Sequence, residues 1–129
     1  MPSPASRLWR VRFDLPAWTA DLRAATPTAR AHAERWRLRI EVTSGIPHTE
    51  LKATRPEDDS VPLPHCVKTR IPDPGDDDPH TSPWGAVLLA ARDTHGLYLI
   101  FLAFGVRHPD PSGRLPSVYQ RAHRRLHRP

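Results

Sequence analysis

Apolar and polar positions near the start of the chain follow the period of a strand and then that of a helix. In Leu8–Phe13, apolar residues alternate with arginines, which predicts a half-buried strand. Pro16–Ala25 has the apolar spacing of a short helix. A second helix is predicted between the capping residue Thr26 and a stop at Gly45. Its charged side carries opposite charges four residues apart, which is typical of a solvated face.

Longer apolar runs farther along the chain predict the central strands of a sheet. Residues 56–83 hold seven prolines and two acidic clusters. We therefore expect exposed loops around one strand, His65–Ile71, with a weaker strand before it at Thr49–Thr54. Trp84–Ala91 and Leu97–Phe104 are nearly continuous apolar runs with a short polar connection. They predict a hairpin of central strands that is covered on both faces.

The last helical pattern, Ser117–His127, separates three kinds of side chain around one helix. One arc is apolar, a second carries arginine, and the border between them carries aromatic rings. These sets are Leu115, Val118, Ala122 and Leu126; Arg121, Arg124, Arg125 and Arg128; and Tyr119, His123 and His127. We expect a helix that docks on the sheet through its apolar arc and is not a free tail.

The predicted fold class is α+β, in a single domain over residues 1–129. It consists of a twisted, mostly antiparallel sheet of four to five strands. Two N-terminal helices lie on one face, and a short basic C-terminal helix lies near the opposite face or edge.

Charge is segregated along the chain, whose formal net charge is +5. Residues 1–104 contain thirteen basic and thirteen acidic residues, whereas residues 105–129 contain six arginines and one aspartate. A directional cationic field concentrates polyanions near it. The sequence therefore predicts a domain that meets RNA or DNA through its C-terminal end. The alternative interpretation is a disordered basic tail.

Composition excludes several other classes. The single cysteine, Cys66, excludes an internal disulfide framework and is expected to be a small buried hydrophobe. No apolar stretch approaches the ~18 residues of a membrane span. Met1–Phe13 is interrupted by arginines, unlike a signal peptide, so we expect a soluble cytoplasmic protein. His123 and His127 have the spacing of a zinc pair but lack a nearby third ligand, and there is no glycine-rich phosphate loop. We therefore expect no metal and no cofactor.

The order of elements resembles one known family. The opening strand LWRVRF, the helix that contains Trp36, and the final unit LYLIFLAFGVRHP followed by SVYQRAHRRL carry the resemblance. They are similar to the RelE/ParE superfamily of toxins from type II toxin–antitoxin systems, and most to its HigB-like branch. In that branch an apolar last strand ends in Phe and leads through a basic pair to a helix with Ala and Arg on one turn. The matching positions are Phe104, Arg107, His108, Ala122 and Arg125. The loop before the helix is longer here than in that family, and the two acidic loops are unusual for it.

The resemblance implies a ribosome-associated endoribonuclease that cuts mRNA and is neutralised by a cognate antitoxin protein. The ParE branch of the same fold targets DNA gyrase instead, and similarity of fold does not choose between the two. A function of another class also stays open. In it, a non-catalytic module binds nucleic acid or protein through the charge of the arginine helix.

Cleavage of RNA without a metal requires proton transfer from the 2′-hydroxyl and to the leaving oxygen, and a cation for the extra charge on phosphorus. Histidine suits the proton transfers and arginine suits the phosphate. In this interpretation His108 or His123 transfers protons and Arg107 and Arg125 hold the phosphate. Tyr119 stacks on an unstacked base. The alternative for each is an ordinary packed or solvated side chain.

Cations elsewhere in the sequence complete the candidate site. Lys68 and Arg70 lie two residues apart on a predicted strand and so share a face. Together with Arg121 and Arg124 they are the candidate RNA-binding residues. Asp76–Asp78 is either a solvated acidic run or a segment that folds back over the basic helix and weakens RNA binding.

Overall fold

Short strands and two helices open the fold. The computed structural model describes residues 7–56, 61–73, 82–108 and 116–127. The elements are β1 (Leu8–Trp9), β2 (Val11–Arg12), α1 (Leu15–Ala24), α2 (Pro27–Thr43), β3 (Ile46–Pro47), a 3₁₀ turn (His48–Glu50), β4 (Lys52–Ala53), β5 (Cys66–Arg70), β6 (Trp84–Asp93), β7 (Gly96–Val106) and α3 (Val118–Leu126).

Each α-helix begins at a side-chain cap. The hydroxyl of Thr26 accepts a hydrogen bond from the Ala29 amide at 3.2 Å and caps α2. Asp14 caps α1 in the same way, and both helices have proline in the first turn. At α3, Ser117 and Gln120 bond to each other's backbone amides, which is a capping box. These caps fix where the helices start.

Five strands form the main sheet in the order β2-β7-β6-β5-β4. Only β2 is parallel to its neighbour, and the other pairs are antiparallel. The α+β class and the mostly antiparallel sheet therefore agree with the sequence prediction. The weak strand expected at Thr49–Thr54 is shorter than predicted, because a 3₁₀ turn occupies its start and only Lys52–Ala53 pairs with β5.

The predicted first strand is divided between two sheets. β1 pairs with β3 in a separate two-stranded sheet, whereas β2 pairs with β7. Gly45 allows the first pairing, because a Cβ there would lie 2.5 Å from the carbonyl oxygen of Trp9. Its φ of +154° also falls in the range that side chains disfavour. The chain can thus cross closely over β1 only at a glycine.

The larger core lies between the sheet and the first two helices. Trp18 of α1 and Trp36 of α2 are buried with Phe101 and Phe104 of β7. The Trp18 ring centroid is 5.2 Å from that of Phe101 and 5.6 Å from that of Phe104. Aromatic pairs at this spacing stabilise a core beyond their buried area.

A bulge in β7 lets both phenylalanines reach that core. Val87 pairs with Ala103 but the next residue, Leu88, pairs with Phe101, so Leu102 is an extra residue in the ladder. The inserted residue reverses the alternation of side chains after it. Phe101 and Phe104, three residues apart, therefore share one face.

The opposite face of the hairpin packs against α3. Val118 and Ala122 are fully buried with Val87 and Ala103 in a second apolar cluster. Within the described residues, no helix has the length and apolar character needed to cross a membrane.

Candidate nucleic-acid interface

A buried carboxylate joins the first helix to the last. The side chain of Asp21, on α1, is only 1% exposed. Its Oδ1 lies 3.0 Å from Nη1 of Arg121 and 2.6 Å from Nη2 of Arg125, both on α3. Its Oδ2 accepts from Nη1 of Arg125 at 2.7 Å. We call Asp21, Arg121 and Arg125 the latch; its two cations balance one buried anion and leave one net positive charge.

The latch also completes the free edge of β7. β2 pairs only with Leu99 and Ile100, so β7 runs on without a strand partner on that side. The amide of Phe104 donates to Oδ2 of Asp21 at 2.9 Å. The carbonyl oxygen of Phe104 accepts from Arg121 at 3.0 Å, and that of Leu102 accepts from Arg125 at 2.8 Å. Buried backbone groups at a strand edge require such partners.

These bonds set the direction of α3 along the sheet. Arg121 donates a hydrogen bond to the carbonyl oxygen of Phe104. Arg125 lies one helical turn later in α3 and donates to the carbonyl oxygen of Leu102, which lies two residues earlier in β7. The rise of about 6 Å per four helical residues matches about 6.6 Å for two strand residues. The helix therefore runs antiparallel to β7 and heads from Gly105 towards the hairpin turn.

A pair of glycines forms a side-chain-free floor on the α3 side of the sheet. Gly85 and Gly105 are register partners on β6 and β7. A Cβ at Gly85 would meet the side chain of Arg107 at 3.2 Å, and one at Gly105 would meet the guanidinium of Arg121 at 3.4 Å. The two arginine side chains therefore lie directly over the glycines, in close contact with the sheet.

Strand β5 adds two more cations to this face. Arg70 is the register partner of Gly85, and Lys68 is the partner of Val87, which lies under α3. Opposite residues in an antiparallel pair point to the same side. Lys68 and Arg70 therefore share a face, as their spacing predicted, and that face is the α3 side. We call Lys68, Arg70, Arg107 and Arg121, with the Gly85–Gly105 floor, the basic trough.

Two candidate rings on α3, those of Tyr119 and His123, lie on the side of the helix that faces β5 and the segment before it. Tyr119 is 8% exposed, and the ammonium of Lys68 lies over its ring at 5.6 Å from the centroid. This burial favours a packing role for the ring over base stacking. His123 lies 3.0 Å from the carbonyl oxygen of Pro62 through Nδ1, and its ring contacts that of His127 at 4.4 Å between centroids.

Arg107 and His108 follow directly on the end of β7. The guanidinium of Arg107 donates to the carbonyl oxygen of Ser82 at 3.1 Å. His108 is exposed. The two candidates therefore lie at the Gly105 end of the trough, whereas Arg125 and His123 lie one or more helical turns from it. The structure thus brings Arg107, His108 and Arg121 to one end, beside Lys68 and Arg70 of β5, and distributes the other candidates along α3.

Arg124 lines a shallow pocket next to the latch. The pocket has a volume of about 290 Å³ and lies between α1 and α3. Its polar lining is Asp21 with Arg121, Arg124 and Arg125. Arg124 is exposed, and it makes no ion pair with any part of the chain that the structure describes. With three cations and one anion, the pocket is suited to an anion.

The described ranges contain no group of three or more His, Cys, Asp or Glu side chains able to hold a metal ion. The acidic run Asp76–Asp78 and the residues Leu115 and Arg128 lie outside the described residues.

Burial makes Cys66 unsuited to thiol chemistry at neutral pH. It lies at the start of β5 and is 5% exposed. Loss of solvation raises the pKa of its thiol from the usual 9.0 to about 11. The neutral thiol is a poor nucleophile.

The same shift predicts a dependence of stability on pH. The folded thiol keeps its proton up to about pH 11, whereas the unfolded thiol loses it near 9.0. The stabilisation is therefore complete below the unfolded pKa and is lost as the pH rises through the folded one. Relative to the Cys66→Val variant, we expect the free energy of unfolding to fall by about 1–2 kcal/mol across this window. Urea unfolding at about pH 8 and about pH 11 measures it, and a difference between the two proteins that does not change with pH would contradict it.

Sequence reasoning missed the acid of the latch and the glycine floor. Asp21 had one signal: it lies between Trp18 and Leu22 on the apolar side of α1, where an acid is unexpected. Gly85 and Gly105 had none, because their pairing depends on the register of the hairpin.

No protein-family model, curated protein or solved structure matches this chain.

Proposed function

We propose that this protein acts on RNA as a toxin of the RelE/HigB-like kind. In this proposal it is a metal-independent endoribonuclease that cuts mRNA on the ribosome and is neutralised by a cognate antitoxin. Its place of action would be the cytoplasm. The observation that carries the proposal is the basic trough, in which arginines lie over paired glycines.

The trough supports binding of a phosphate backbone for a steric and an electrostatic reason. Gly85 and Gly105 leave room for the side chains of Arg107 and Arg121 to lie close against the sheet. The cations around it present planar guanidinium groups that can hold two phosphate oxygens at once. A flat or apolar sheet face would offer neither. The same face carries the second apolar cluster, through which α3 and its arginines dock on the sheet.

Chemical roles follow from exposure and position. His108 is the better candidate for proton transfer, because it is exposed beside Arg107. His123 already lies within hydrogen-bond distance of Pro62. Arg107 and Arg121 would stabilise the charge on phosphorus at the Gly105 end. Arg125 would act mainly by holding α3 in place, because its guanidinium contacts the buried Asp21.

A non-catalytic binding module is the second candidate, and the latch favours it. Two of the arginines that the cleavage hypothesis uses have a structural partner in Asp21. A surface that only attracts a polyanion needs no proton-transfer group. Inhibition of DNA gyrase is a third candidate function, which no contact among the described residues specifically supports.

The proposal is tested first on the purified protein. We expect it to cleave single-stranded RNA in the presence of EDTA, and its induced expression to arrest growth with new mRNA ends that sequencing can map. A small partner protein encoded beside it should abolish both effects. RNA that is bound but never cut would favour the binding module, and RNA that is neither bound nor cut would contradict both.

Arg124 provides a milder test of the electrostatic part. Because Arg124 is exposed beside the pocket, we expect Arg124→Gln to fold normally and to weaken RNA binding a few-fold. It should also reduce the slope of log affinity against log salt by about one. Arg35→Gln, on the exposed side of α2, is the matched control and should leave the slope unchanged. Equal slopes for both variants and the wild type would place the RNA elsewhere.

A further inference from the structure

A second group of cations lies on the α3 side of the sheet, at the hairpin end. Leu89 of β6 packs in the cluster under α3, and its register partner on β7 is Ile100. Tyr98 lies two residues before Ile100 on the same strand, so it shares the face of Ile100. Arg12 of β2 is the register partner of Ile100. Tyr98 and Arg12 therefore project from the same face as the basic trough.

Two guanidinium groups lie over the Tyr98 ring. That of Arg10 is 5.4 Å from the ring centroid and that of Arg12 is 5.6 Å from it. Asp93 fixes Arg10, with Oδ1 and Oδ2 accepting its hydrogen bonds at 2.9 Å and 3.3 Å. The bond from Arg10 lowers the pKa of Asp93, so this carboxylate stays charged and the anchor persists. Arg12 is exposed, and no described residue forms an ion pair with it.

This cluster lies beyond the end of α3. Arg125, near the end of the helix, bonds at Leu102, and Tyr98 is four residues farther along β7, about 13 Å away at strand rise. From Gly105 to Tyr98 the distance along the strand is about 24 Å. The arginines of α3 and the latch pocket lie between these two ends. Cations therefore lie at both ends of β7 on this side, and those of α3 lie beside Phe104 and Leu102 between the two ends.

From this arrangement we infer that Tyr98 and Arg12 form a base-stacking subsite for single-stranded RNA, at the far end of a path that begins at the basic trough. The inference rests on the proposed action on RNA and adds the strandedness of the substrate and a site for its bases. Aromatic rings and guanidinium planes on which unpaired bases stack, next to a cationic groove for the backbone, are how proteins hold single strands. A duplex has no exposed base faces to offer.

The length of the path limits the length of the ligand. At the ~3.4 Å rise of a stacked strand, about seven nucleotides span about 24 Å. Affinity for oligouridine should therefore increase with length and level off by about seven nucleotides. A 2′-O-methyl backbone serves as the probe, because it cannot be cleaved through the 2′-hydroxyl.

The test compares Tyr98→Leu, Arg12→Gln and the control Arg92→Gln. Leucine keeps apolar bulk and removes the ring, and Arg92, whose register partner is Leu97, projects from the opposite face at the same end. Fluorescence anisotropy should give about a tenfold loss of affinity for Tyr98→Leu with the 2′-O-methyl heptauridine. It should give about a threefold loss for Arg12→Gln and no change for Arg92→Gln. An RNA duplex should bind the wild type and Tyr98→Leu equally.

The outcomes separate this inference from the proposal beneath it. Wild-type affinity of Tyr98→Leu and Arg12→Gln for the heptauridine overturns the subsite, even while the wild type binds and cuts RNA. So does an equal loss of duplex and single-strand affinity, which would show a general effect on the fold. A wild-type protein that binds no RNA overturns the proposed function as well. Thermal unfolding checks that each variant is folded, and the exposed Arg12 provides a variant in which folding is not at risk.

Discussion

Replacing Asp21 with alanine should lower the free energy of unfolding by about 3 kcal/mol or more. The change removes the anion that faces two partly buried guanidinium groups, those of Arg121 and Arg125, which are 20% and 18% exposed. It also leaves the amide of Phe104 without its acceptor. Breaking a buried ion pair from one side leaves the remaining charges uncompensated, which costs more than the pair itself contributes. Urea unfolding, monitored by tryptophan fluorescence, measures the loss.

The matched control is Glu41→Ala. Glu41 pairs with Arg37 one turn away on α2 at 2.8 Å, and its side chain is 52% exposed. Exposed pairs of this kind contribute about 0.3–0.5 kcal/mol. A loss below about 1 kcal/mol for Asp21→Ala would mean that water or movement of α3 compensates the arginines. In that case the latch would not determine the position of α3.

Replacing His108 with alanine should reduce RNA cleavage by a factor of about 10²–10⁴ and leave RNA affinity within about twofold of the wild type. His108 is exposed next to Arg107, so its removal leaves no cavity and no unpaired partner in the core. Proton transfer affects the transition state more than it affects binding. Single-turnover cleavage measures the first quantity, and anisotropy with an uncleavable 2′-O-methyl RNA measures the second.

His95→Ala is the control for that experiment, because His95 is an exposed histidine in the hairpin turn, far along β7 from the trough. It should cut RNA at the wild-type rate. His123→Ala should have an intermediate or no effect, since its Nδ1 contacts Pro62. If His108→Ala cleaved RNA at the wild-type rate, proton transfer would have to be assigned to another group. Cleavage absent from the wild type would favour the binding module.

Local patterns predicted the central hairpin and the presence of helices. The apolar runs at Trp84–Ala91 and Leu97–Phe104 are β6 and β7, each extended by two residues or fewer at either end. Hydrophobic periodicity and caps such as Thr26 are properties of neighbouring residues, and the sequence displays them directly.

Features that depend on distant residues were not predictable in the same way. The bulge at Leu102 has no sequence signal, yet it decides which residues of β7 reach each core. The division of Leu8–Phe13 between two sheets depends on the crossing at Gly45. A contact between Asp21 and Arg125 joins residues 104 positions apart.

In the candidate site, too, local features were predictable from the sequence and long-range contacts were not. The shared face of Lys68 and Arg70 followed from the two-residue period of a strand. The phosphate role expected for Arg125 and the RNA binding expected for Arg121 were inferred from charge and from the family resemblance. Charge does not reveal whether a guanidinium already has a buried partner.

The latch also has a consequence for how the chain folds as it is made. Asp21 leaves the ribosome 104 residues before Arg125, which at roughly 5–20 residues per second is an interval of about 5–20 s. For almost all of that interval Asp21 has no counter-ion, and once β7 has been made its apolar edge also lacks its partners from the last helix. Its last helix cannot dock until synthesis has reached it. Contacts so distant in sequence are slow to close, so this protein should mature late and should need protection from premature association while it is still being translated.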